Sequence, residues 1–436
     1  MASQLVAHYL INHCHMSLTK TYLKLMRRQL KWTLAIAVLL IGMIGYGCSN
    51  ITDTELNEPE EELLEAGSII DGSYIVVMKP DEKEVESKGK VYLENLRTNL
   101  MADAGVANER VTSTYSNALY GFAATLDDNQ LSLLEKDDRV SYVEPDKIVA
   151  LAPPCGTPNG GPCDDNPDDG DGGGDDGSGG DTEAIVPWGI DRVGGSVTYS
   201  GTAVSWVIDT GIQVDHPDLN VDANRGFSAF TRGKDKGVDD GNGHGTHVAG
   251  TIGGFNGILG VASGVVQVPV KVLDSRGSGS ISGVIAGVDH VAANASSGDV
   301  ANMSLGGGTS QALDDAVVNA ANQGVLFSVA AGNSSTWAES SSPARVEHPN
   351  VWTIAATDSN DNFASFSNYG PPTSHAAPGV SIQSTWNNGG YNTISGTSMA
   401  APHVAGILLV NNGTVNTNGQ SSTAPDGVNY PIASHN

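Results

Sequence analysis

Two hydrophobic rhythms divide the chain. Between residues 71 and 150, short apolar runs alternate with one amphipathic stretch. Tyr74-Ile75-Val76-Val77-Met78 predicts a strand, and 88–102 carries Val91, Leu93, Leu96 and Leu100 at the spacing of one helix face. Gly121-Phe122-Ala123-Ala124 predicts a second strand, 130–135 a short helix and Val140-Ser141-Tyr142-Val143 a third strand. That βαβ–αβ order suits an open sheet with helices on one face. From 183 to 410 the apolar runs are nearly continuous, predicting strands at 203–208, 266–272, 300–304, 325–330 and 351–356. Helical spacing falls between them at 246–252, 280–293, 311–322 and 398–410. Strands without alternation, separated by helices, predict an α/β domain whose mostly parallel sheet is covered on both faces. Chemistry in such sheets gathers beyond the carboxyl ends of the strands.

The segments outside these blocks are read from composition. Residues 151–182 hold eight Asp and no basic residue among Pro and Gly, which predicts a self-repelling linker. Its Asp run lacks the regularly placed Glu of a dedicated calcium loop. From Asn411 to Asn436 the chain is rich in Asn, Gly, Ser and Thr, and a polar surface tail is expected. At the other end, Lys24, Arg27, Arg28 and Lys31 precede an uncharged apolar run from Trp32 to Tyr46. That run has signal-peptide length and falls short of the roughly 20 residues of a membrane span. Residues 1–48 are therefore expected to direct export, with Met26 an alternative start, and 49–70 to be an acidic spacer. Cys48, after Gly47, resembles a bacterial lipoprotein acceptor, so a lipid anchor is one possible membrane attachment.

Charge follows the same divisions. The net −27 separates into five basic groups before residue 50, nine basic against thirty acidic groups over 50–182, and eight against nineteen over 183–436. Nucleic-acid binding is excluded, since phosphate contacts need clustered Lys and Arg. All four cysteines lie before residue 183, so the large domain has neither disulfides nor a cysteine nucleophile. Cys155 and Cys163 are close enough in sequence to pair in an oxidising compartment.

Three short segments carry chemistry. Asp209 ends the strand Val204-Ser205-Trp206-Val207-Ile208, His244 lies in Asn242-Gly243-His244-Gly245-Thr246-His247, and Ser398 lies in Ser395-Gly396-Thr397-Ser398-Met399-Ala400. Singly, each has an ordinary explanation: a strand-end turn, a metal ligand or a helix cap. The two histidines lack the intervening Glu of a zinc-peptidase helix. Together they supply a nucleophile at a helix N-terminus, a base near neutral pKa and a carboxylate to orient it.

These segments resemble the subtilisin-like serine peptidases, nearest the branch of proteinase K and aqualysin, over residues 187–406. The chain order Asp…His…Ser is that of subtilisin. The resemblance implies a three-layer fold and a catalytic triad of Asp209, His244 and Ser398. It also implies substrate pairing at Ser304, Leu305 and Gly306 within Asn302-Met303-Ser304-Leu305-Gly306-Gly307. Ala331 and Gly332 become a pocket wall, ending at the oxyanion-hole residue Asn333. Phe366-Ser367-Asn368-Tyr369-Gly370 and Ala377-Pro378-Gly379 are similar to further family segments. Residues 71–150, ending Tyr142-Val143-Glu144-Pro145-Asp146, resemble the family's α+β ferredoxin-like inhibitor propeptide. The expectation is thus a secreted, monomeric, self-processed endopeptidase of broad specificity acting on proteins or peptides. Its propeptide is a temporary inhibitor, and the chemistry needs no cofactor. Ser374 and His375 stand where many relatives have a calcium-binding Asp, which leaves Asp218 as a weaker candidate for a structural calcium ion. The competing reading is an exported binding protein that keeps the fold without catalysis.

Overall fold

The structure, a computed structural model, describes residues 65–151 and 184–436. The export signal, Cys48, the linker and the Cys155–Cys163 pair lie outside the described residues.

The first body runs β1 (Ile69–Met78), α1 (Glu82–Asp103), β2 (Val111–Ser116), β3 (Tyr120–Thr125), α2 (Asp128–Leu134) and β4 (Val140–Ala150). Asp81 starts α1 by accepting the Lys83 amide at 2.9 Å, and Asp127 with Gln130 forms a capping box on α2. The strands pair antiparallel in the order β4-β1-β3-β2, a ferredoxin-like arrangement. The sequence pattern missed β2 because Val111-Thr112-Ser113-Thr114-Tyr115-Ser116 is mostly polar and buries Tyr115 alone. One sheet face packs Val76, Phe122 and Ala124 under α1 and α2 with Leu100 and Leu134.

The second body holds α3 (Trp188–Arg192), β5 (Val197–Thr198), β6 (Ser205–Asp209), β7 (Phe227–Ser228), α4 (His244–Gly253), β8 (Ala262–Ser263), β9 (Gln267–Lys271) and β10 (Ser278–Ser280). It continues through α5 (Ile281–Asn294), β11 (Val300–Met303), α6 (Gln311–Asn322), β12 (Leu326–Ala330), β13 (Val351–Thr357), β14 (Thr373–Pro378), β15 (Ile382–Trp386) and β16 (Gly390–Ile394). It closes with α7 (Thr397–Val410), β17 (Asn416–Gln420) and β18 (Pro431–Ser434). The main sheet is ordered β17-β18-β14-β13-β12-β11-β6-β9-β7 and is parallel except for β17. Alternate residues of one strand serve opposite layers. Trp206 and Ile208 of β6 pack with α5 and α6, whereas Val207 packs with α4 and α7.

Residues 411–436 are not the polar surface tail expected. β18 lies beside β14 with Ile432 opposite Ala376, and Ile432 and Ala433 are fully buried. The His435 amide donates to the Val193 carbonyl at 3.0 Å, tying this edge to the loop after α3. Two apolar residues among turn formers were too short a run to announce a strand.

Candidate active site

β6, β11 and β12 are neighbours, and their carboxyl ends deliver Asp209, Ser304 and the Ala331–Asn333 segment to one edge. α4 and α7 pack against each other and start at that edge, bringing His244 and Ser398 to it. The turn before α4 requires glycine. Gly243 has φ 114°, and a Cβ there would lie 2.3 Å from the Trp386 ring. A Cβ on Gly245 would meet the Gly211 carbonyl at 2.1 Å. The Asp240 carboxylate holds the turn by accepting from the amides of Asn242, Gly243 and Thr246 and from the Thr246 hydroxyl.

Asp209 is fully buried, and its Oδ1 accepts from the Thr210 amide at 2.7 Å and faces His244 Nδ1 at 2.8 Å. Burial disfavours charge on His244. The field and hydrogen bond of Asp209, with the field of Asp240, outweigh it and raise the imidazole pKa above its ordinary 6.5. A base so placed is protonated at mildly acidic pH and becomes competent as pH rises.

Ser398 is the second residue of α7, and its hydroxyl donates to the Ser304 carbonyl at 3.1 Å. The Ser304 hydroxyl donates back to the Ser398 carbonyl at 2.7 Å and accepts from the Asn302 amide group at 2.8 Å. Asn333 Oδ1 accepts from both the amide and the hydroxyl of Thr397, each at 2.8 Å. That fixes which end of the side chain is the acceptor and leaves its NH₂ as the donor end. The Thr397 hydroxyl also accepts from the Gly332 amide at 3.0 Å. Thr397 escaped sequence reasoning because it read only as the neighbour of Ser398. Asn368 likewise braces the pocket wall, donating to the Ala331 carbonyl and accepting from the Ser334 and Thr336 amides.

Asn333→Ala removes the side-chain NH₂ that Thr397 leaves free to donate. If that NH₂ receives the oxyanion, as the sequence leads one to expect, the result is a loss of roughly 10²–10³ in kcat with little change in KM, measured on a peptide amide.

Asp218 fastens neighbouring backbone. Its Oδ1 accepts from the Gly257 amide, and its Oδ2 from the Ile258 amide and the Tyr391 hydroxyl. These contacts brace the loop before β8. Among the described residues no group of three His, Cys, Asp or Glu is disposed to hold a metal ion.

The other two histidines near α4 and α7 are kept neutral. His247 Nε2 sits 2.9 Å from the Ile382 carbonyl and His403 Nδ1 2.8 Å from the Met399 carbonyl. Burial pushes their pKa values down to about 3 and about 4. The unfolded chain binds protons at these sites below about 6.5, while the fold does not. Their contribution to stability is whole above that pH and declines as pH falls toward the folded values, by about 1.4 kcal/mol per pH unit for each residue. Urea midpoints of the Ser398→Ala protein at pH 7, 6, 5 and 4 should therefore drop steeply. His403→Gln should flatten the drop.

The segment ending the first body lies in the cleft. β4 pairs antiparallel with β10, setting Ile148, Val149 and Ala150 opposite Ser280, Gly279 and Ser278, while Val149 also bridges Gly307. The Leu151 amide donates to the Gly277 carbonyl at 2.9 Å. Acidic side chains fasten the two bodies. Asp146 accepts from the Ser282 amide at 3.0 Å and hydroxyl at 2.6 Å, at the start of α5. Glu144 accepts from the Gln311 amide and the Ser310 hydroxyl at the start of α6. In return Asp289 of α5 accepts from the Ser116, Asn117 and Ala118 amides.

A parallel sheet with Asp, His and Ser converging beyond its carboxyl ends, and a small inhibitor-like body laid across the cleft, defines a class of serine peptidase zymogen. Residues 200–417 match the model of the subtilase family, peptidase S8, and 73–152 match that of peptidase inhibitor I9. The chain belongs to the subtilase family. It is 42% identical over 347 residues to alkaline serine exoprotease A of Vibrio alginolyticus, covering 77% of this chain and 60% of that protein. It is 39% identical over 396 residues to the extracellular serine proteinase of Thermus sp. strain Rt41A, covering 85% and 88%. The crystal structure of a cold adapted subtilisin-like serine proteinase matches with 42% identity and a TM-score of 0.50, over 58% of this chain and 99% of that one.

Proposed function

We propose that the chain is the zymogen of an exported serine endopeptidase that cuts extended polypeptides with broad specificity. The observation that carries this reading is the 2.8 Å Asp209–His244 contact at the sheet edge where α7 presents Ser398. In the reaction, Ser398 Oγ attacks the scissile carbonyl while His244 Nε2 takes its proton. Asp209 holds the Nδ1–H tautomer and balances the imidazolium. The Asn333 amide group and the Ser398 backbone N–H receive the oxyanion. His244 then protonates the leaving amine, and water reverses the sequence to release the acyl group.

The groove between β10 and residues 304–307 admits substrate as an added strand, a mode that reads backbone more than side chain. The lie of β4 in that groove supports residues 71–150 as intramolecular inhibitor. On this proposal self-cleavage falls between Val149 and Pro187, in the stretch expected to be a linker. Export is supported by the apolar segment before Cys48 and by the Thermus relative's being an extracellular serine proteinase.

The test uses the full wild-type chain. It should cleave casein, release its inhibitory segment and take a fluorophosphonate on Ser398, mapped by mass spectrometry. A chain that does none of these would end the peptidase reading. N-terminal sequencing and intact mass of the released enzyme locate the cut, and the mass of the N-terminal fragment reveals any lipid on Cys48.

A further inference from the structure

We propose that Lys271 is a positioning residue for the Asp209–His244 pair, acting through the Thr210 carbonyl. The inference rests on the peptidase reading above. β6 and β9 are parallel neighbours in a register that sets Lys271 opposite Asp209, so the two side chains leave the sheet on the same face. Lys271 is 1% exposed and ends the fully buried strand Gln267-Val268-Pro269-Val270-Lys271. Its ammonium donates to the Thr210 carbonyl at 2.5 Å and the Leu273 carbonyl at 2.9 Å, and lies 5.7 Å from the centre of the Phe230 ring. Its hydrogen bonds go to these carbonyls and to no carboxylate. Burying an ammonium that no carboxylate hydrogen-bonds carries a desolvation cost, and a methionine would fill the same space without it.

What the ammonium grips accounts for its presence. The Thr210 amide donates to Asp209 Oδ1, and the Thr210 hydroxyl accepts from the Gly245 amide at 2.9 Å, next to His244. The Val272 and Leu273 amides both donate to the Asp209 carbonyl, at 2.9 and 3.2 Å. One ammonium therefore ties together the two loops that hold the aspartate. Among the described residues Asp209 Oδ2 has no hydrogen-bond partner, so the carboxylate's orientation there depends on Oδ1 and the backbone around it. The charged groups whose fields act on Lys271 are Asp209, Asp235, Asp240 and Asp274, while burial lowers its own pKa. Those acting on His244 are Asp209 and Asp240, with His247 one turn along α4.

The test is Lys271→Met, assayed on a chromogenic peptide amide with rates expressed per active site titrated by fluorophosphonate. The expected result is a fall in kcat of roughly 10- to 100-fold with KM within about twofold. The acid limb of the pH profile should move to lower pH, because a loosened Asp209 supports the imidazolium less. The low-field proton resonance of His244 Nδ1–H should weaken with it. Loss of charge alone would move the limb upward, and a purely structural role would leave it in place; either result overturns the proposal. Lys271→Gln keeps a shorter, neutral donor and should show the same displacement to a smaller degree. It carries the test if the methionine variant yields no titratable sites. A wild type that cleaves the amide beside an unaltered Lys271→Met removes the lysine's role and leaves the peptidase standing. A wild type without activity removes both.

Discussion

Ser398→Ala is expected to abolish turnover and to leave the chain unprocessed. The nucleophile is the one group whose removal stops acylation entirely, and the corresponding loss in subtilisin is about 2 × 10⁶ in kcat. Among the described residues the hydroxyl makes a single hydrogen bond in this state, to the Ser304 carbonyl at 3.1 Å, so its loss should leave the fold intact. The reciprocal bond from the Ser304 hydroxyl to the Ser398 carbonyl survives the change. The variant should therefore accumulate as a folded zymogen with β4 still paired to β10. Electrophoresis of the purified protein would show one long species where wild type shows two fragments. Appearance of the shorter fragments in a protease-free preparation of the variant would contradict the mechanism.

Asp209→Asn should cost about 10⁴ in kcat/KM near neutral pH without disturbing the backbone. An asparagine can present its NH₂ to His244 Nδ1 and so fix the tautomer that carries its proton on Nε2. That tautomer cannot accept the Ser398 proton. The variant also loses the carboxylate that, with Asp240, raises the His244 pKa against the opposing effect of burial. The sign follows directly: removing the negative charge lowers the pKa. The acid limb of the pH profile should therefore shift downward from its wild-type position. A limb that rose or stayed in place would mean that Asp209 does not set the base.

The sequence was most informative where burial is complete on both faces. β6, β9, β11, β12 and β13 are mostly apolar, and the helices between them show clear 3.6-residue spacing, so the parallel sheet could be read directly. Strands with mixed faces escaped. β2 buries one tyrosine, β14 is Thr-Ser-His-Ala-Ala-Pro, and β18 has a two-residue apolar centre. Each is held by pairing with a distant partner, which no local window contains. The site divides in the same way. Asp209, His244 and Ser398 sit in short motifs whose residue types already imply the chemistry. Thr397, Asn368, Asp240 and Lys271 act by contacts set by register and loop closure. Only Lys271 left a local signal, a single cation ending a mostly apolar strand. Glu144 and Asp146 could be read as the end of a strand, but their places at the starts of α5 and α6 required the assembled fold.

The strand lying in the cleft has a consequence for diet. β10 is three residues long, and in this structure β4 is its sheet neighbour. Once that neighbour departs, the groove can be refilled only by a stretch of polypeptide whose own amides and carbonyls are free. A helix or an internal strand of a compact target must first come apart over several residues, at the free-energy cost of local opening. Such an enzyme sorts proteins by how readily they open. It would consume loosened, damaged or heat-shaken chains and spare tightly folded neighbours, with little need to distinguish one side chain from another.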